Sequence, residues 1–550
     1  MRLPVLSLLL LSAACALASP ASAQYTSLQP PPVPPQNPIT PEKAVLGKIL
    51  FFEEQLASDN TVACGTCHIP GLSFTDDRPA VWLGPDGIPE TLDDVFGSFG
   101  VVNMDLNQDY DPDPDFVLSP QVTHRRTNDI FGALYAPNIF WDGRASDAFE
   151  DPETGLIVIP TGGALESQAI APLLSPVEQG HRFRTWDQIR TKLQTIQPLR
   201  LASDLTPDIV AALAVDPTYP ELFEAAFGTT DINAERIAFA LATYQRTLVP
   251  DQTPWDDFIN GNPNALTPRQ LDGWQQFDGI AKCSQCHTPP VFSDGDFHNN
   301  GFRPWQMDPG LMDTTGLFDD RGKFKTPSLR NAGLRKRFFH NGAFQQMFPA
   351  GVSNVYWGGG GGFDDNLDPI FTPLSQIPGI DRERIFEFVA VALTDPRVEN
   401  ELPPFDRPTL RYENFTFGQN LFGQPTPGRF GDAPLITANS PAMIGTVQEL
   451  RIGLSRAPAG ETAHLFGSRG RGFGIIRGGV ALNVRFPLVI HEIVTVDGPG
   501  PVRGHKTVKL DIPNNPAIVG TNLYFQWVVE DTQAPTGASA SRGAVVEILP

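Results

Sequence analysis

The chain has 550 residues, too many for one compact core, so we expect two or three domains. Its formal net charge of −22 argues against nucleic acid as a partner. Abundant proline (54) and glycine (50) predict many turns and long connections between elements.

The N-terminus has the organisation of a secretory signal peptide, predicted for residues 1–23. Arg2 is basic, Leu6–Leu11 is apolar, and Ala21–Ala23 is a small-residue cleavage site. The apolar run is too short to anchor the chain in a membrane. We therefore expect a periplasmic or secreted protein without a transmembrane segment. The Pro/Gln-rich leader that follows, residues 24–37, is predicted to be extended and disordered.

Two pentapeptides, CGTCH at Cys64–His68 and CSQCH at Cys283–His287, contain every cysteine outside the signal peptide. Exported proteins usually join their cysteines in disulfides, but here none is left over to do so. C-x-x-C-H is the pattern for covalent attachment of haem c, in which two thiols bind the porphyrin and the histidine binds iron. A zinc site would need both pairs in one small module, and a thioredoxin-like motif would need a βαβ context. The sequence predicts two haem c groups on these residues: Cys64, Cys67, His68, Cys283, Cys286 and His287.

A helix is predicted before each pentapeptide. Thr40-Pro41 and Thr267-Pro268 each combine an N-cap with the favoured first helical residue, and Gln270 completes a capping box. A helix leading into a haem-binding turn is typical of class I cytochrome c domains. We predict a mainly α protein with haem domains at residues 38–250 and 262–405.

The connections around these domains have distinct compositions. A further helix is predicted at Ile237–Leu248, and Val249-Pro250 with Asn260–Asn264 is interpreted as the hinge between the haem domains. An insertion at residues 84–123 is acidic, with DLNQDYDPDPD at its centre. Alternating Asp and Asn suggest calcium, but the glycine and closing glutamate of an EF-hand are missing. We therefore expect a solvated acidic loop.

Residues 406–550 differ in character. Short β-rich runs such as Leu488–Val496, Thr507–Ile512 and Leu523–Glu530 alternate with turns, which predicts a β-sandwich accessory domain. The histidines of this region are scattered and form no catalytic pattern. A docking or surface-attachment role is our hypothesis for this domain.

Five motifs in the haem region carry a family resemblance. They are FWDGRA at Phe140–Ala145, LESQA at Leu165–Ala169, SPVEQ at Ser175–Gln179, KTPSLRN at Lys325–Asn331 and FFHNG at Phe338–Gly342. In this order they resemble the bacterial dihaem cytochrome c peroxidase and MauG family. The resemblance covers residues 38–405 and does not extend to the predicted β-sandwich.

The resemblance implies a role for each matching residue. The first haem, on His68, would be the peroxidatic one, and the second, on His287, would relay electrons. The other matches are Trp141 between the haems, with ordinary aromatic core as the alternative, Gln168 and Glu178 over the peroxide site, Arg330 beside the haems, and Asn128 as a loose match to a ligand of an interdomain calcium ion. A carboxylate such as Glu178 can move a proton between the two oxygens of a bound peroxide.

Two departures from the family pattern concern the axial ligands of the haems. A second histidine usually blocks the peroxidatic iron, but none lies between Ile69 and Thr123. An open first haem, as in MauG-like proteins, is therefore expected unless the insertion brings His124 over the iron. For the second haem, Tyr356 or Met347 would be the distal ligand, and tyrosinate would lower the haem potential relative to methionine.

Three functions remain open from the sequence. The first is a peroxidase that reduces hydrogen peroxide with electrons from a small redox protein, a cytochrome c or a cupredoxin. The second is MauG-like oxidation of a protein substrate by ferryl haem. The third is a non-enzymatic electron-transfer cytochrome, which Glu178 and the missing blocking histidine argue against.

Overall fold

The computed structural model describes residues 25–550 apart from 415–417, 419, 446–448 and 478. The predicted signal peptide therefore lies outside the described residues. None of the helices in these described ranges has the length and apolar composition needed to cross a bilayer.

The first haem region is built around two long helices that pack closely. Helix α1 (Pro41–Phe51) begins where predicted, because the Thr40 side chain accepts a hydrogen bond from the Lys43 backbone N–H. It packs along α7 (Ala234–Thr247), which matches the helix predicted at Ile237–Leu248. A Cβ atom on Gly47 would come within 1.9 Å of the Ala240 carbonyl oxygen, so glycine permits this close approach. The remaining elements of this region are α2 (Cys64–Cys67), α3 (Ala164–Leu174), α4 (Trp186–Leu193), α5 (Pro207–Val215), α6 (Tyr219–Phe227), β1 (Phe99–Val102), β2 (Pro120–Val122), β3 (Phe149–Glu150) and β4 (Ile157–Ile159).

The second haem region is smaller and has an aromatic core. Its helix α9 (Pro268–Asp278) begins with the predicted capping box of Thr267 and Gln270. The core contains Trp255, Trp274, Phe277, Phe292 and Phe388. The elements of this region are α8 (Pro254–Ile259), α9, α10 (Met312–Thr315), α11 (Val352–Gly358), α12 (Arg382–Glu387) with a π-helical turn at Phe388–Ala392, α13 (Pro396–Glu399), β5 (Phe297–His298) and β6 (Phe324–Lys325).

Helices make up 27% of the structure, so the expectation of a mainly α protein is not confirmed. Much of each haem region consists of turns, short 3₁₀ segments and two-residue strands. The many prolines and glycines explain this, since proline removes a backbone donor and glycine favours turns.

Among the described residues, the C-terminal region consists of β-strands apart from α14 (Arg411–Asn414) and a 3₁₀ turn at Pro516–Ile518, and its β character is as predicted. Its strands are β7 (Leu421–Phe422), β8 (Leu435–Thr437), β9 (Ala442–Met443), β10 (Leu450–Ala457), β11 (Thr462–Ser468), β12 (Arg471–Arg477), β13 (Val480–Val484), β14 (Ile490–Thr495), β15 (Gly504–Leu510), β16 (Asn522–Glu530), β17 (Ala538–Ala540) and β18 (Gly543–Leu549). One sheet has the order β15-β10-β8, and a larger one contains β14-β11-β16-β18-β7.

The two sheets share one apolar core and thus form a sandwich. Leu450, Ile452 and Leu454 of β10 are fully buried, as are Phe525 and Trp527 of β16. The indole N–H of Trp527 donates to the Gly453 carbonyl oxygen at 3.0 Å, which joins the two sheets through a buried hydrogen bond.

The insertion at residues 84–123 is not the solvated loop that its acidity suggested. Tyr110 and Leu118 are almost fully buried, and both lie against Gly453 of the sandwich. A Cβ atom added to Gly453 would come within 2.9 Å of the Tyr110 side chain and 3.1 Å of the Leu118 side chain, so glycine permits this close contact. The Lys509 ammonium group lies 2.9 Å from the Asp109 carboxylate. The insertion therefore docks onto the β-sandwich through buried apolar side chains, and the Lys509–Asp109 ion pair lies at the more exposed edge of the contact.

The Pro/Gln-rich leader has no helix or strand from residue 25 to 37, but the expectation of disorder is wrong. The Tyr25 ring packs edge-on against Trp274, with 5.3 Å between ring centroids. The Tyr25 hydroxyl donates to the Asp278 carboxylate at 2.9 Å, and Tyr135 donates to the Gln29 carbonyl oxygen at 2.6 Å. The leader therefore contacts both haem regions.

Candidate functional site

Both C-x-x-C-H histidines are oriented by a hydrogen bond to a backbone carbonyl oxygen. His68 has its Nδ1 atom 3.0 Å from the Phe74 carbonyl oxygen, and His287 has its Nδ1 atom 3.2 Å from the Phe292 carbonyl oxygen. A carbonyl accepts a hydrogen bond from N–H, so each ring carries its proton on Nδ1 and leaves the Nε2 lone pair free for a metal. All four cysteines nearby are free thiols rather than disulfides.

A cavity of about 590 Å³ lies above the first pentapeptide. Its size is within the range of about 300–1,000 Å³ that is typical of cofactor sites. The wall contains these residues singled out from the sequence: Cys64, Cys67, His68, His124, Asn128, Trp141, Gln168 and Glu178. The fold thus brings together side chains that are up to 114 residues apart in the sequence, from Cys64 to Glu178.

Two arginines in the cavity wall have unsatisfied donors. The Nε and Nη2 atoms of Arg126 and the Nε atom of Arg303 are buried with no hydrogen-bond partner among the described residues. Burial lowers the pKa of Arg126 to about 10. Haem carries two propionate groups, and such anions would satisfy these donors. The thiols, the histidine and the cationic wall of the cavity therefore fit haem c. Neither arginine was found from the sequence, because no motif marks them.

The environment of Glu178 suits a group that exchanges protons. Burial raises its pKa above the ordinary glutamate value, while a hydrogen bond from Ser175 and the charge of Arg144 offset part of that rise. Gln168 of α3 lies in the same cavity wall. An amide and a carboxyl group are therefore available together beside the predicted peroxide site.

Trp141 lies where the two haem regions meet. Its indole N–H donates to the Arg126 carbonyl oxygen at 2.7 Å, and its own carbonyl oxygen accepts from the Lys325 backbone N–H at 2.9 Å. Its ring is 6.4 Å from that of His340. The indole is thus held by Arg126 of the first haem region and lies near His340 of the second, while the Trp141 backbone is bonded to Lys325.

His124 and Trp82 flank the insertion, and both lie in the cavity wall. Their rings stack with 4.3 Å between centroids and an interplanar angle of 20°. The ends of the insertion therefore lie at the cavity, and His124 is engaged there by the Trp82 ring. Whether the first haem is open stays a prediction.

Both candidate distal ligands of the second haem lie near its pentapeptide. Burial raises the pKa of Tyr356, and the nearby thiols of Cys283 and Cys286 raise it further. Met347 packs against the aromatic core that also contacts Cys283. The choice between them stays a prediction.

A charged cluster surrounds the second pentapeptide. Ligand atoms of Cys286, Asp294 and His298 lie within 4.8 Å of one another. Hydrogen bonds to Asp294, Cys286 and Asp368 raise the pKa of His298 to about 11 despite burial. Because Cys286 belongs to the haem motif, we interpret this cluster as part of the setting of the second haem.

Arg330 lies outside the cavity and is fully engaged with protein groups. It forms a bidentate pair with Asp256 at 2.8 Å for each bond, and it donates to the carbonyl oxygens of Pro250 (2.8 Å) and Pro290 (2.7 Å). These contacts tie the interdomain linker to the loop after His287. A direct contact between Arg330 and haem stays a prediction.

The calcium prediction also stays open. The Asn128 side-chain oxygen accepts a hydrogen bond from the Asp129 backbone N–H at 2.9 Å. Thr326 and Pro327 of the second haem region lie in the same cavity wall as Asn128. These contacts give Asn128 a local structural role beside the domain boundary.

Comparison with known proteins identifies related sequences. Residues 41–264 match the family model described as di-haem cytochrome c peroxidase. Methylamine utilization protein MauG of Methylorubrum extorquens is 29% identical over 322 residues, which are 58% of this chain and 70% of that protein. Cytochrome c551 peroxidase of Nitrosomonas europaea is 27% identical over 323 residues, covering 56% and 73%. Cytochrome-c peroxidase IdrP1 of Pseudomonas sp. strain SCT is 26% identical over 438 residues, covering 72% and 94%.

Proposed function

Because the haem-bearing part of this chain belongs to the di-haem cytochrome c peroxidase family, we propose that the protein reduces hydrogen peroxide at the first haem with electrons that enter through the second. The protein is a peroxidase-like oxidoreductase. The single observation that carries the proposal is the cavity that joins His68, Gln168 and Glu178 in one wall.

Different residues of the cavity would bind different parts of the haem. Cys64 and Cys67 would form the thioether bonds, His68 would bind the iron through Nε2, and Arg126 and Arg303 would pair with the propionates. When bound, the haem supplies an iron that accepts peroxide and passes on electrons.

Glu178 performs the proton transfer in this proposal. Its carboxylate would take a proton from one oxygen of hydrogen peroxide and return it to the other, so that the O–O bond breaks and the second oxygen leaves as water. Two electrons and two further protons complete the reduction of one peroxide to two waters. Gln168 orients the peroxide by hydrogen bonding from the same wall.

Electrons would reach the first haem past Trp141, which contacts both haem regions. The donor would be a small redox protein, a cytochrome c or a cupredoxin. Because this chain carries a net charge of −22, a basic docking face on that donor is favoured. Export to the periplasm or beyond is part of the same proposal, since haem c attachment accompanies the signal-like N-terminus.

The test is rapid mixing of the oxidised, haem-loaded protein with hydrogen peroxide. We expect Glu178→Gln to slow the reaction by about 10²–10⁴-fold, the usual contribution of a general acid–base group. Glu150→Gln is the matched control, because Glu150 is exposed and absent from the cavity wall. Mass spectrometry must find two haems in every variant.

The pH dependence gives a second check. The Glu178 carboxylate is the active base and burial raises its pKa. The rate should therefore fall as pH falls through a pKa above the ordinary value of about 4.3, and this step should vanish in Glu178→Gln. An unchanged rate in that variant would refute the assignment. Peroxide reaction without turnover of a reduced donor would instead favour MauG-like oxidation of a protein.

A further inference from the structure

Two histidines and a glutamate converge on the outer face of the β-sandwich. His464 lies on β11 opposite Ile493 of β14 and Val528 of β16. His491 and Glu530 are therefore diagonal neighbours of His464, on either side and on the same face. His491 is exposed and the His464 side chain retains 19% exposure, so the group is open to ions from solution.

The hydrogen bonds fix which nitrogens face each other. Nε2 of His464 lies 3.1 Å from the Glu530 carboxylate, and Nδ1 of His464 lies 3.1 Å from Nε2 of His491. A carboxylate accepts, so Nε2 of His464 carries the proton and Nδ1 presents a lone pair toward His491. A carboxylate behind a histidine in this way is the arrangement that orients metal-binding histidines.

The distance between the two nitrogens suits a metal ion. With metal–nitrogen bonds of about 2.0–2.1 Å, two ligands lie about 2.9 Å apart at a right angle and about 3.3 Å apart at a tetrahedral angle. The observed 3.1 Å is that of a hydrogen bond between rings that face each other head-on, with 5.4 Å between centroids, so the nitrogens are close enough to share one ion once the exposed His491 ring turns. The Phe466 ring lies beside both imidazoles, with its centroid 5.0 Å from that of His491 and 6.0 Å from that of His464.

We propose that His464 and His491 form a surface site for a divalent late transition metal, with Glu530 as the positioning residue. Imidazole ligands suit copper, zinc and nickel, and copper(II) has the highest affinity of the divalent first-row ions. The protein supplies two nitrogen ligands, and water completes the coordination. In the metal-bound state His491 carries its proton on Nδ1, so both facing nitrogens bind the ion. The site gives the accessory domain a binding function that is separate from the haems.

The test uses the full-length, haem-loaded protein, first stripped of loosely bound metal with a chelator. Copper(II) sulfate is added at one equivalent, and its electron paramagnetic resonance spectrum is recorded, with affinity measured by calorimetry. We expect coupling to two nitrogens in the native protein and its loss in both His464→Gln and His491→Gln. Glu530→Gln should weaken binding by about tenfold or more, because the orienting carboxylate is lost.

His505→Gln is the matched control, since His505 lies on β15 in the other sheet and should not affect the signal. Zinc(II) should compete for the site only in large excess, because copper(II) binds imidazole ligands more tightly. A native protein without two-nitrogen copper coordination would overturn the proposal, as would persistence of the signal in either His464→Gln or His491→Gln. Haem spectra should not change in any variant, so failure of this site and failure of the peroxidase proposal are distinguishable.

Discussion

Replacing Arg330 with methionine tests whether this residue acts on the haem directly or through the protein. The Arg330 and Asp256 side chains are only 1% and 2% exposed. Methionine keeps most of the volume but leaves the Asp256 carboxylate buried without its partner. Breaking such a pair costs about 3–5 kcal/mol, because an uncompensated charge remains in the interior. Two backbone carbonyl oxygens, of Pro250 and Pro290, lose their donor as well.

The expected consequence is a less stable second haem region with a misplaced haem loop. Pro290 lies between His287 and Phe292, whose carbonyl oxygen fixes the ligand ring. Urea unfolding followed by far-ultraviolet circular dichroism should show a midpoint lowered by roughly 2 M, if unfolding has a slope of about 2 kcal/mol per molar. The absorbance of the second haem should change in the same transition.

Arg384→Met is the matched control, since it removes the same charge from a partly exposed pair with Asp272. Water screens that pair, so the free energy of unfolding should change little. The reasoning is refuted if Arg330→Met is as stable as Arg384→Met. A changed haem potential at unchanged stability would show that Arg330 acts on the haem directly.

Two further substitutions test the electron path and the second haem. Trp141→Phe removes the indole N–H that donates to Arg126, and it should slow peroxide turnover sharply while both haem spectra stay nearly unchanged; equal turnover would make Trp141 ordinary core. Tyr356→Phe should change the ligand-field spectrum of the second haem, whereas Met347→Leu should not. The opposite pattern would assign the distal ligand to Met347.

Features with a local chemical cause could be predicted from the sequence. The helices before the haem motifs begin at Thr-Pro pairs because the cap and the first helical residue are encoded side by side. Strands β14, β15 and β16 match the β-rich runs, since side-chain alternation is also local. Glu178 was found only through a motif, because nothing in its own neighbourhood separates it from a surface glutamate.

Features that depend on distant residues could not be predicted. The acidic insertion was expected to be solvated, but its partners on the sandwich, such as Lys509, are about 400 residues away. The leader was expected to be disordered, but Tyr25 packs on an aromatic core that forms only when the second haem region folds. The unsatisfied donors of Arg126 likewise become visible only once the cavity exists.

The docked insertion has a consequence for deletions from this chain. Tyr110 and Leu118 are buried against the sandwich, so loss of the C-terminal domain alone would leave an apolar surface exposed to water. Loss of the insertion alone would uncover the matching face of the sandwich and remove the chain that joins Trp82 to His124. The two segments are separated by almost 300 residues in the sequence, but each covers apolar surface of the other, so deleting either one alone should destabilise the protein.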